Sequence, residues 1–211
     1  MPKISKNILI LSPHPDDEVL GCGGTVAKLS RQGAVIDCVF FTAGEAGNLE
    51  RRCLESLRAG KTIGIRNFFN LGGTDGRLAK QIHKLTRSLA QSVSLDNYDC
   101  IFCPWQFESH PDHRAVFRVF QKLVSKSEIN PEILLYEVWS PLPENYIEDI
   151  SSTLRAKLKA IRHYRSQLRV LPYDEYFEAL ARYRAMKSPK AQYAEAFIRL
   201  SRSELLAIRA G

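Results

Sequence analysis

Five stretches of the chain are almost continuously apolar, β-branched or aromatic, and each is four to eight residues long. Continuous runs of this length predict strands that are buried on both faces of a sheet, because a half-exposed strand would alternate apolar and polar residues. The predicted strands are residues 8–11, 35–42, 66–71, 100–105 and 133–139.

Stretches with helical periodicity separate these runs. The predicted helices are residues 18–31, 49–63, 77–93 and 113–125. Gly33 and Gly64 follow the first two helices, at the position that glycine often takes at a helix carboxyl end. Strands that alternate with helices predict βαβ units, and therefore an α/β fold with a mostly parallel sheet sandwiched between helices.

The pattern changes after the fifth strand. Pro141 and Pro143 interrupt the chain, and residues 147–150 can form one more short strand. Helical sequence then dominates at residues 152–167, at 173–186 and, less regularly, at 195–209. Because no internal repeat or linker is visible, we expect a single domain over residues 1–211 with a helical C-terminal portion, about residues 151–211.

Two clusters of histidine and aspartate stand directly after predicted strands. Residues 12–18 read SPHPDDE and follow the first strand, and residues 110–113 read HPDH and come soon after the fourth. Ligands of open α/β sheets bind outside the carboxyl ends of the strands, so both clusters are expected at one edge of the sheet. Their prolines restrict both turns, which favours a fixed side-chain geometry.

The residue types in these clusters predict a metal site. His14 and Asp17 are three residues apart across a strand-to-helix turn, and His113 comes from the neighbouring turn. Two imidazoles and one carboxylate suit a single Zn²⁺ per chain and leave a fourth position for a water whose pKa falls to about 7. Other divalent ions, including iron, accept the same ligands. Taken singly, an aspartate at a helix start is more often an N-cap, and a lone histidine there is more often structural.

The other polar residues of the two clusters have roles beside the ion. Asp16 can accept a proton from water as general base. His110, one helical turn before His113, can stabilise an oxyanion or protonate a leaving nitrogen. Asp112 can orient a histidine. Asp16, His110 and Asp112 are therefore the catalytic candidates.

Residues 12–18 and 110–113 resemble the two signature motifs of the PIG-L/LmbE-like deacetylases, which are zinc-dependent enzymes with a Rossmann-like α/β fold. Further similarities follow in the same order: TAGE at residues 42–45, RCLE at 52–55, DG at 75–76, YRSQ at 164–167 and YAEAF at 193–197. The resemblance implies a hydrolase that removes the N-acetyl group from a small molecule containing N-acetylglucosamine. It implies the same three zinc ligands and the same catalytic residues, and it adds Arg52 and Asp75 as sugar contacts.

Some of these matching elements also have simpler interpretations. Arg52 and Glu55 form an ordinary i,i+3 pair on a helix surface, and Asp75-Gly76 is an ordinary turn sequence. The elements around Tyr164 and Glu195 can pack the C-terminal helices over the site without touching substrate.

Charge is distributed unevenly along the chain, which has a net charge of +7. Residues 1–150 hold 17 basic and 18 acidic residues, whereas residues 151–211 hold 13 and 5. A basic surface attracts anions. A substrate with an anionic group is therefore one alternative, with Arg162, Arg165 and Arg169 as candidate contacts. A solvated helical face is the simpler alternative.

Two other functions are compatible with parts of the pattern. A metal-dependent esterase or phosphoesterase could use the same ion, although phosphoryl transfer often uses two metals and more carboxylates than the clusters supply. A nucleic-acid-binding protein could use the basic C-terminal portion. The chain has no zinc-finger, RRM or helix-turn-helix signature, however, and acidic residues crowd the expected pocket. We therefore expect no nucleic acid as a partner.

Apolar runs and cysteines indicate the cellular compartment that we expect for the protein. The longest apolar runs fall far short of the ~20 residues of a spanning helix, and the N-terminus does not resemble a signal peptide, so we expect no stable membrane insertion. Five cysteines do not make a disulfide framework, and we interpret them as free thiols of a cytoplasmic protein. Cys100 and Cys103 have C-x-x-C spacing, but strand residues three apart point to opposite faces. The sequence leaves a homo-oligomer open.

Overall fold

The computed structural model describes residues 7–44 and 49–208, which form a seven-stranded sheet with helices on both faces. The strands are β1 (Asn7–Ser12), β2 (Val35–Thr42), β3 (Asn67–Gly73), β4 (Cys100–Pro104), β5 (Glu132–Tyr136), β6 (Tyr146–Asp149) and β7 (Ala194–Leu200). Their order across the sheet is β3-β2-β1-β4-β5-β7-β6. Strands β1 to β5 are mutually parallel, and β7 runs antiparallel to both of its neighbours. The predicted α/β fold with a mostly parallel, helix-covered sheet is confirmed.

Eight α-helices lie within the described residues: α1 (Asp17–Arg31), α2 (Leu49–Ile63), α3 (Ile82–Ser92), α4 (Pro111–Val124), α5 (Leu154–Ile161), α6 (Arg165–Leu168), α7 (Tyr173–Ala185) and α8 (Arg202–Ala207). Helices α1, α2, α5 and α7 contribute to the hydrophobic core on one face of the sheet, and α3, α4 and α8 to the core on the other. None of these helices is both long enough and apolar enough to cross a membrane.

The strands supply alternate side chains to the two cores. Cys100 belongs to the first core and Cys103 to the second, and both are buried free thiols as predicted. Gly33 and Gly64 have φ values of 92° and 88°. This left-handed conformation is the one that glycine adopts after a helix end, which confirms their predicted role.

Helix α1 approaches the sheet closely because glycines face it. A Cβ atom at Gly21 would lie 2.2 Å from the Tyr136 ring, and one at Gly24 would lie 2.7 Å from Ile150. The Tyr136 hydroxyl in turn donates to the Leu11 carbonyl at 2.8 Å. These contacts set the position of the helix N-terminus against the carboxyl ends of β1 and β5.

The predicted helix over residues 195–209 is wrong in its first half, which is strand β7. Its side chains alternate between the two cores, with Phe197 in one and Ala196 in the other, and it pairs with β5 on one side and β6 on the other. Pairing between distant segments outweighs the local helical preference here. Residues 202–207 are helical, with a capping box formed by Ser201 and Glu204. The C-terminal portion is therefore helical only in part. Arg209 and Glu45, which the sequence patterns also included, lie outside the described residues.

Two other predicted helices are shorter than expected because tertiary contacts hold the residues beside them. The helix expected over residues 77–93 begins at Ile82, since the Leu78 N–H donates to the Asp112 carboxylate at 3.0 Å and fixes the preceding turn. The helix expected over residues 152–167 ends at Ile161. The buried Tyr164 hydroxyl donates to Glu18, which draws that segment towards the start of α1.

Candidate metal and catalytic site

The turn between β1 and α1 holds Asp16 in an unusual backbone conformation. Asp16 has φ 130° and ψ −32°, and it is the one described residue other than glycine with a positive φ. Its N–H donates to the Glu18 side chain at 2.9 Å, and Glu18 also accepts from the Tyr164 hydroxyl. A strained residue of this kind costs of order 1–3 kcal/mol and persists only where its surroundings enforce it.

Asp17 is the central carboxylate of the site and is only 2 % exposed. One of its oxygens, Oδ2, accepts from the His14 N–H at 3.0 Å and lies 3.2 Å from His14 Nδ1. The same oxygen lies 3.1 Å from His113 Nε2. The turn after β1 and the start of α4 thus meet at one oxygen atom, as expected for two segments at the same edge of the sheet.

His110 and His113 come from the beginning of α4. Pro111 is the first residue of the helix, and the His110 ring acts as its N-cap by accepting the Asp112 N–H at Nδ1, at 3.2 Å. Because Nδ1 is an acceptor, the proton of the neutral ring lies on Nε2. His113 is completely buried. Its Nε2 contact with Asp17 is not aligned as a hydrogen bond, and neither ring nitrogen has a hydrogen-bond partner among the described residues.

Asp112 connects this helix to the turn after β3. Its carboxylate accepts the N–H groups of Gly76 and Leu78, at 2.7 and 3.0 Å, and lies 3.3 Å from His14 Nε2. The turn is thereby held so that Asp75 Oδ1 lies 3.1 Å from the same His14 nitrogen. Asp112 therefore contacts His14 and holds the turn that carries Asp75, while its catalytic role stays a prediction.

Two groups of side chains within the described residues are arranged as a metal ion would require. In the first group, the three ring nitrogens that could bind an ion lie within 4.8 Å of one another; they belong to His14, His110 and His113. In the second group, a ring nitrogen of His14 and one carboxylate oxygen each from Asp75 and Asp112 meet the same limit. Asp17 joins the first group through its contacts with His14 and His113. The described residues thus hold a candidate metal site at the carboxyl ends of β1 and β4.

The charges around His14 favour a cation at this place. Burial alone lowers the pKa of His14, but contacts with Asp112, Asp17 and Asp75 raise it to about 12. Burial raises the pKa of Asp17, but the nearby His113 and His14 hold it well below its ordinary value. Burial, together with the positive charge of His14, lowers the pKa of His110. A partly buried ring among three carboxylates stabilises positive charge, whether from a proton or from a metal ion.

The comparison with known proteins bears directly on this arrangement. The profile of the PIG-L family, described as GlcNAc-PI de-N-acetylase, matches residues 9–124, just over half of the chain, and this range includes both histidine clusters.

The chain belongs to the PIG-L family. Membership confirms the prediction of an enzyme that hydrolyses an amide as an N-deacetylase. This PIG-L protein is 26% identical over 193 residues to a diacetylchitobiose deacetylase from Thermococcus kodakarensis, a match that covers 77% of this chain and 70% of that one.

Solved structures give the same result for the fold. A conserved protein from Thermus thermophilus superposes with a TM-score of 0.77 at 31% identity, over 90% of this chain and 93% of that chain. An N,N'-diacetylchitobiose deacetylase from Pyrococcus horikoshii superposes with a TM-score of 0.77 at 27% identity, over 94% and 85%.

Arg52 of the PIG-L protein lies next to the Asp16 side chain and is almost completely buried. Its guanidinium donates to the Pro15 carbonyl at 2.6 Å, lies 3.6 Å from Asp16 Oδ2 and stands over the Tyr164 ring. These contacts support the strained turn. Contact of Arg52 with a sugar stays a prediction, as does the corresponding role of Asp75, whose carboxylate also faces His14.

Glu108 is a buried acid beside the site to which the sequence assigned no role. Its Oε2 lies 3.9 Å from His113 Nδ1, and its carboxylate accepts the N–H groups of Val138 and Trp139, at 2.6 and 3.0 Å. The one available signal was its place two residues before His110. A glutamate in a polar turn usually faces solvent, so only the approach of the 138–139 turn identifies it.

The C-terminal elements around Tyr164 and Glu195 hold the fold together. Glu195 accepts from the Gly24 and Thr25 N–H groups, at 2.9 and 2.8 Å, and pairs with the buried Lys157 at 2.6 Å. Part of the basic excess of residues 151–211 is likewise paired, mostly with acidic residues of the preceding segment: Arg162 with Asp174, Arg184 with Glu137 and Glu144, Lys187 with Glu144, and Arg199 with Glu132. The basic portion is therefore less exposed as free charge than the sequence indicates.

Proposed function

We propose that this PIG-L protein is a zinc-dependent N-deacetylase for small molecules that contain N-acetylglucosamine, with one ion held by His14, Asp17 and His113. Family membership and the two diacetylchitobiose deacetylases at 26% and 27% identity support the substrate class. The observation that carries the assignment is the buried Asp17 oxygen shared by two imidazoles from different turns.

The donor set fits a zinc ion. Two imidazoles and one carboxylate are ligands that zinc binds in catalytic sites. The buried His113 ring has no hydrogen-bond partner among residues 7–44 and 49–208, and a metal bond at Nε2 would supply one. Asp75 and Asp112 lie 3.1 and 3.3 Å from His14 Nε2, which leaves Nδ1, beside Asp17, for the ion. Glu108 lies near His113 Nδ1, the ring nitrogen that does not face Asp17. Metal-binding histidines are commonly oriented by carboxylates in this way.

Zinc in this place would polarise the acetyl carbonyl and lower the pKa of a water molecule. The carboxylate of Asp16 accepts the proton from the attacking water. The strained backbone and the Arg52 guanidinium hold that carboxylate at the site, next to Asp17 in the chain. A fixed base of this kind typically contributes a factor of about 10²–10⁴ in rate.

His110 donates a hydrogen bond from Nε2–H to the oxygen of the acyl carbon as negative charge develops there. Its Nδ1 is already occupied by the Asp112 N–H, so the donating nitrogen is the one that faces away from the helix backbone. The amide C–N bond then breaks, and the leaving nitrogen takes the proton that Asp16 had accepted from the water. Acetate and a free amino sugar are the products, and the Asp16 carboxylate is regenerated.

Metal analysis of three variants tests the ligand and base assignments. His113→Ala should lose bound zinc, whereas Asp16→Asn should keep about one zinc per chain and lose acetate release by about 10²–10⁴-fold. His83→Ala is the matched control, since His83 is exposed on α3 and outside the site. Near-normal turnover of Asp16→Asn at saturating zinc would contradict the base assignment.

Acetate release from N-acetylglucosamine and N,N'-diacetylchitobiose, with and without a chelator, tests the reaction itself. We expect release that stops on chelation and returns with added zinc. Two zinc ions per chain and turnover of a phosphate ester in place of acetate release would favour the phosphoesterase alternative.

A further inference from the structure

Basic side chains without acidic neighbours are concentrated on α3 and α4, outside the C-terminal portion to which the charge count of the sequence points. Residues 76–93 and 113–127 each hold four basic residues and no acidic one. Five of these cations make no ion pair within the part of the chain that the structure describes: Lys80, Lys84, Arg87, Lys122 and Lys126. Lys122 is half-buried, and the other four are exposed.

The acidic side chains closest in sequence to these helices are bound elsewhere. Asp112, in the first turn of α4, is completely buried and accepts the N–H groups of Gly76 and Leu78. Glu204, on the neighbouring α8, accepts the N–H and hydroxyl of Ser201. The outer face of α3 and α4 is therefore expected to carry a positive potential that attracts anions.

This face is concave. A cavity of about 560 Å³ lies between α3, α4 and the end of α8, with the cations Lys80 and Lys122 among its lining residues. Its lining also includes three half-buried apolar side chains, those of Ile82, Leu206 and Ile208. The α8 wall is held in place by the Gln121 side-chain amide, which donates to the Leu205 and Ile208 carbonyls at 2.9 and 2.8 Å.

A second cavity of about 330 Å³ adjoins the first at Lys122 and is lined by Arg87 and Lys126 as well. We call the two cavities together the basic groove, after Lys80, Arg87, Lys122 and Lys126. No acidic residue lines either cavity within the described residues.

The basic groove is separate from the proposed metal site. Lys122 follows His113 by nine residues on α4. At 1.5 Å per residue, this places it about 13–14 Å further along the helix axis. A ligand in the groove is therefore bound by different residues from those that hold the proposed ion.

The composition of the groove favours a small organic phosphate as its occupant. Lysine and arginine side chains are the usual partners of phosphate oxygens, and four of them suit two or more phosphate groups. The apolar side chains of the larger cavity suit an organic group attached to those phosphates. The volumes are those of small-molecule sites, whereas a duplex or a lipid surface would contact mainly the exposed lysines.

We propose that the basic groove binds a small organic molecule with two or more phosphate groups, of the chemistry of a nucleoside diphosphate. Its phosphates lie across Lys122, between Lys80 on one side and Arg87 and Lys126 on the other. Its organic part lies in the larger cavity, against Ile82. This site stands apart from the proposed function and does not depend on it.

Isothermal titration calorimetry with ADP as the probe tests the site. Wild type should bind one ADP per chain, and Lys122→Glu and Lys126→Glu should each weaken binding at least about tenfold, because each replaces an attraction by a repulsion. Arg155→Glu makes the same change in net charge at an exposed position of α5, on the other face of the sheet, and should leave the affinity unchanged. Circular dichroism checks that each variant is folded.

Ligand controls separate the two halves of the proposal. Adenosine, which lacks phosphate, should not bind, and inorganic pyrophosphate should bind more weakly than ADP. Pyrophosphate as tight as ADP would overturn the organic part of the assignment.

Several results would overturn the site itself. They are no ADP binding by wild type, ADP binding that survives both lysine variants, and an equal loss in Arg155→Glu, which would show an effect of net charge alone. Tighter binding of a DNA oligonucleotide or of phosphatidylserine vesicles than of ADP, lost in Lys122→Glu, would assign the face to that partner instead. None of these results bears on acetate release, so the proposed deacetylase function is tested separately.

Discussion

The strained turn at Asp16 allows a direct test of how the structure places a catalytic group. We consider two variants, Asp16→Gly and Asp16→Ala. Both remove the carboxylate and its contacts with Arg52, but only alanine keeps a Cβ atom at φ 130°. The difference in stability between the two variants therefore isolates the backbone strain from the loss of the side chain.

The expected magnitude follows from two opposing effects. A non-glycine residue at such a φ costs about 1–3 kcal/mol, and glycine removes this cost. Glycine also has greater freedom in the unfolded chain, which destabilises the folded state by about 0.5–1 kcal/mol. Asp16→Gly should thus be more stable than Asp16→Ala by about 1 kcal/mol, or about 2–4 °C in Tm for a chain of this size. Both should lose acetate release to a similar extent, about 10²–10⁴-fold.

Urea unfolding followed by circular dichroism measures the difference, once with a chelator and once with excess zinc so that metal binding is separated from strain. Asp174 in the first turn of α7 is a matched control site, where the helical backbone has a negative φ. There the sign should reverse, with glycine less stable than alanine by about 1 kcal/mol. An Asp16→Ala variant as stable as Asp16→Gly would refute the strained conformation and the reasoning built on it.

Three further outcomes follow from other contacts. Glu195→Ala should lower the free energy of unfolding by about 3–5 kcal/mol, because it leaves the Lys157 ammonium buried without its partner; a loss under about 1 kcal/mol in urea unfolding would contradict this. Glu108→Gln should weaken zinc binding about 10–100-fold in chelator competition, since the carboxylate beside His113 is lost; unchanged affinity would remove Glu108 from the site. Hydrogen bonds from the Ser151 hydroxyl and N–H lower the pKa of Asp149 below 3.8. Its stabilising contribution is therefore fully present above the ordinary pKa of aspartate and disappears as the pH falls through the lowered pKa. Asp149→Asn should be destabilising at about pH 7 and lose this effect in acid, as measured by urea unfolding at both pH values.

Much of the parallel sheet could be predicted from the sequence because its determinants are local. Continuous apolar runs mark strands covered on both faces, and glycines such as Gly33 mark the helix ends between them. The two histidine clusters could be placed at one edge because parallel strands end together. The same rule predicts that His14 and His113 approach each other.

Other features depended on contacts between segments far apart in the chain. The stretch 194–200 has a local pattern that permits a helix, yet it completes the sheet between β5 and β6 because paired backbone groups and two cores are available there. The contacts of Glu108 could likewise not be predicted from the sequence, since its carboxylate binds the backbone of Val138 and Trp139, which are 30 and 31 residues away.

The sequence by itself determined which residue types gather at the carboxyl ends of β1 and β4, and therefore the kind of chemistry open to this protein. Only the tertiary structure decided which groups meet: Asp75 with His14, Arg52 with Asp16, and Glu195 with the backbone of Gly24 and Thr25. The physical reason is that secondary structure and turn geometry follow from neighbouring residues. The burial and charge environment of a side chain is set by whichever distant segment packs against it.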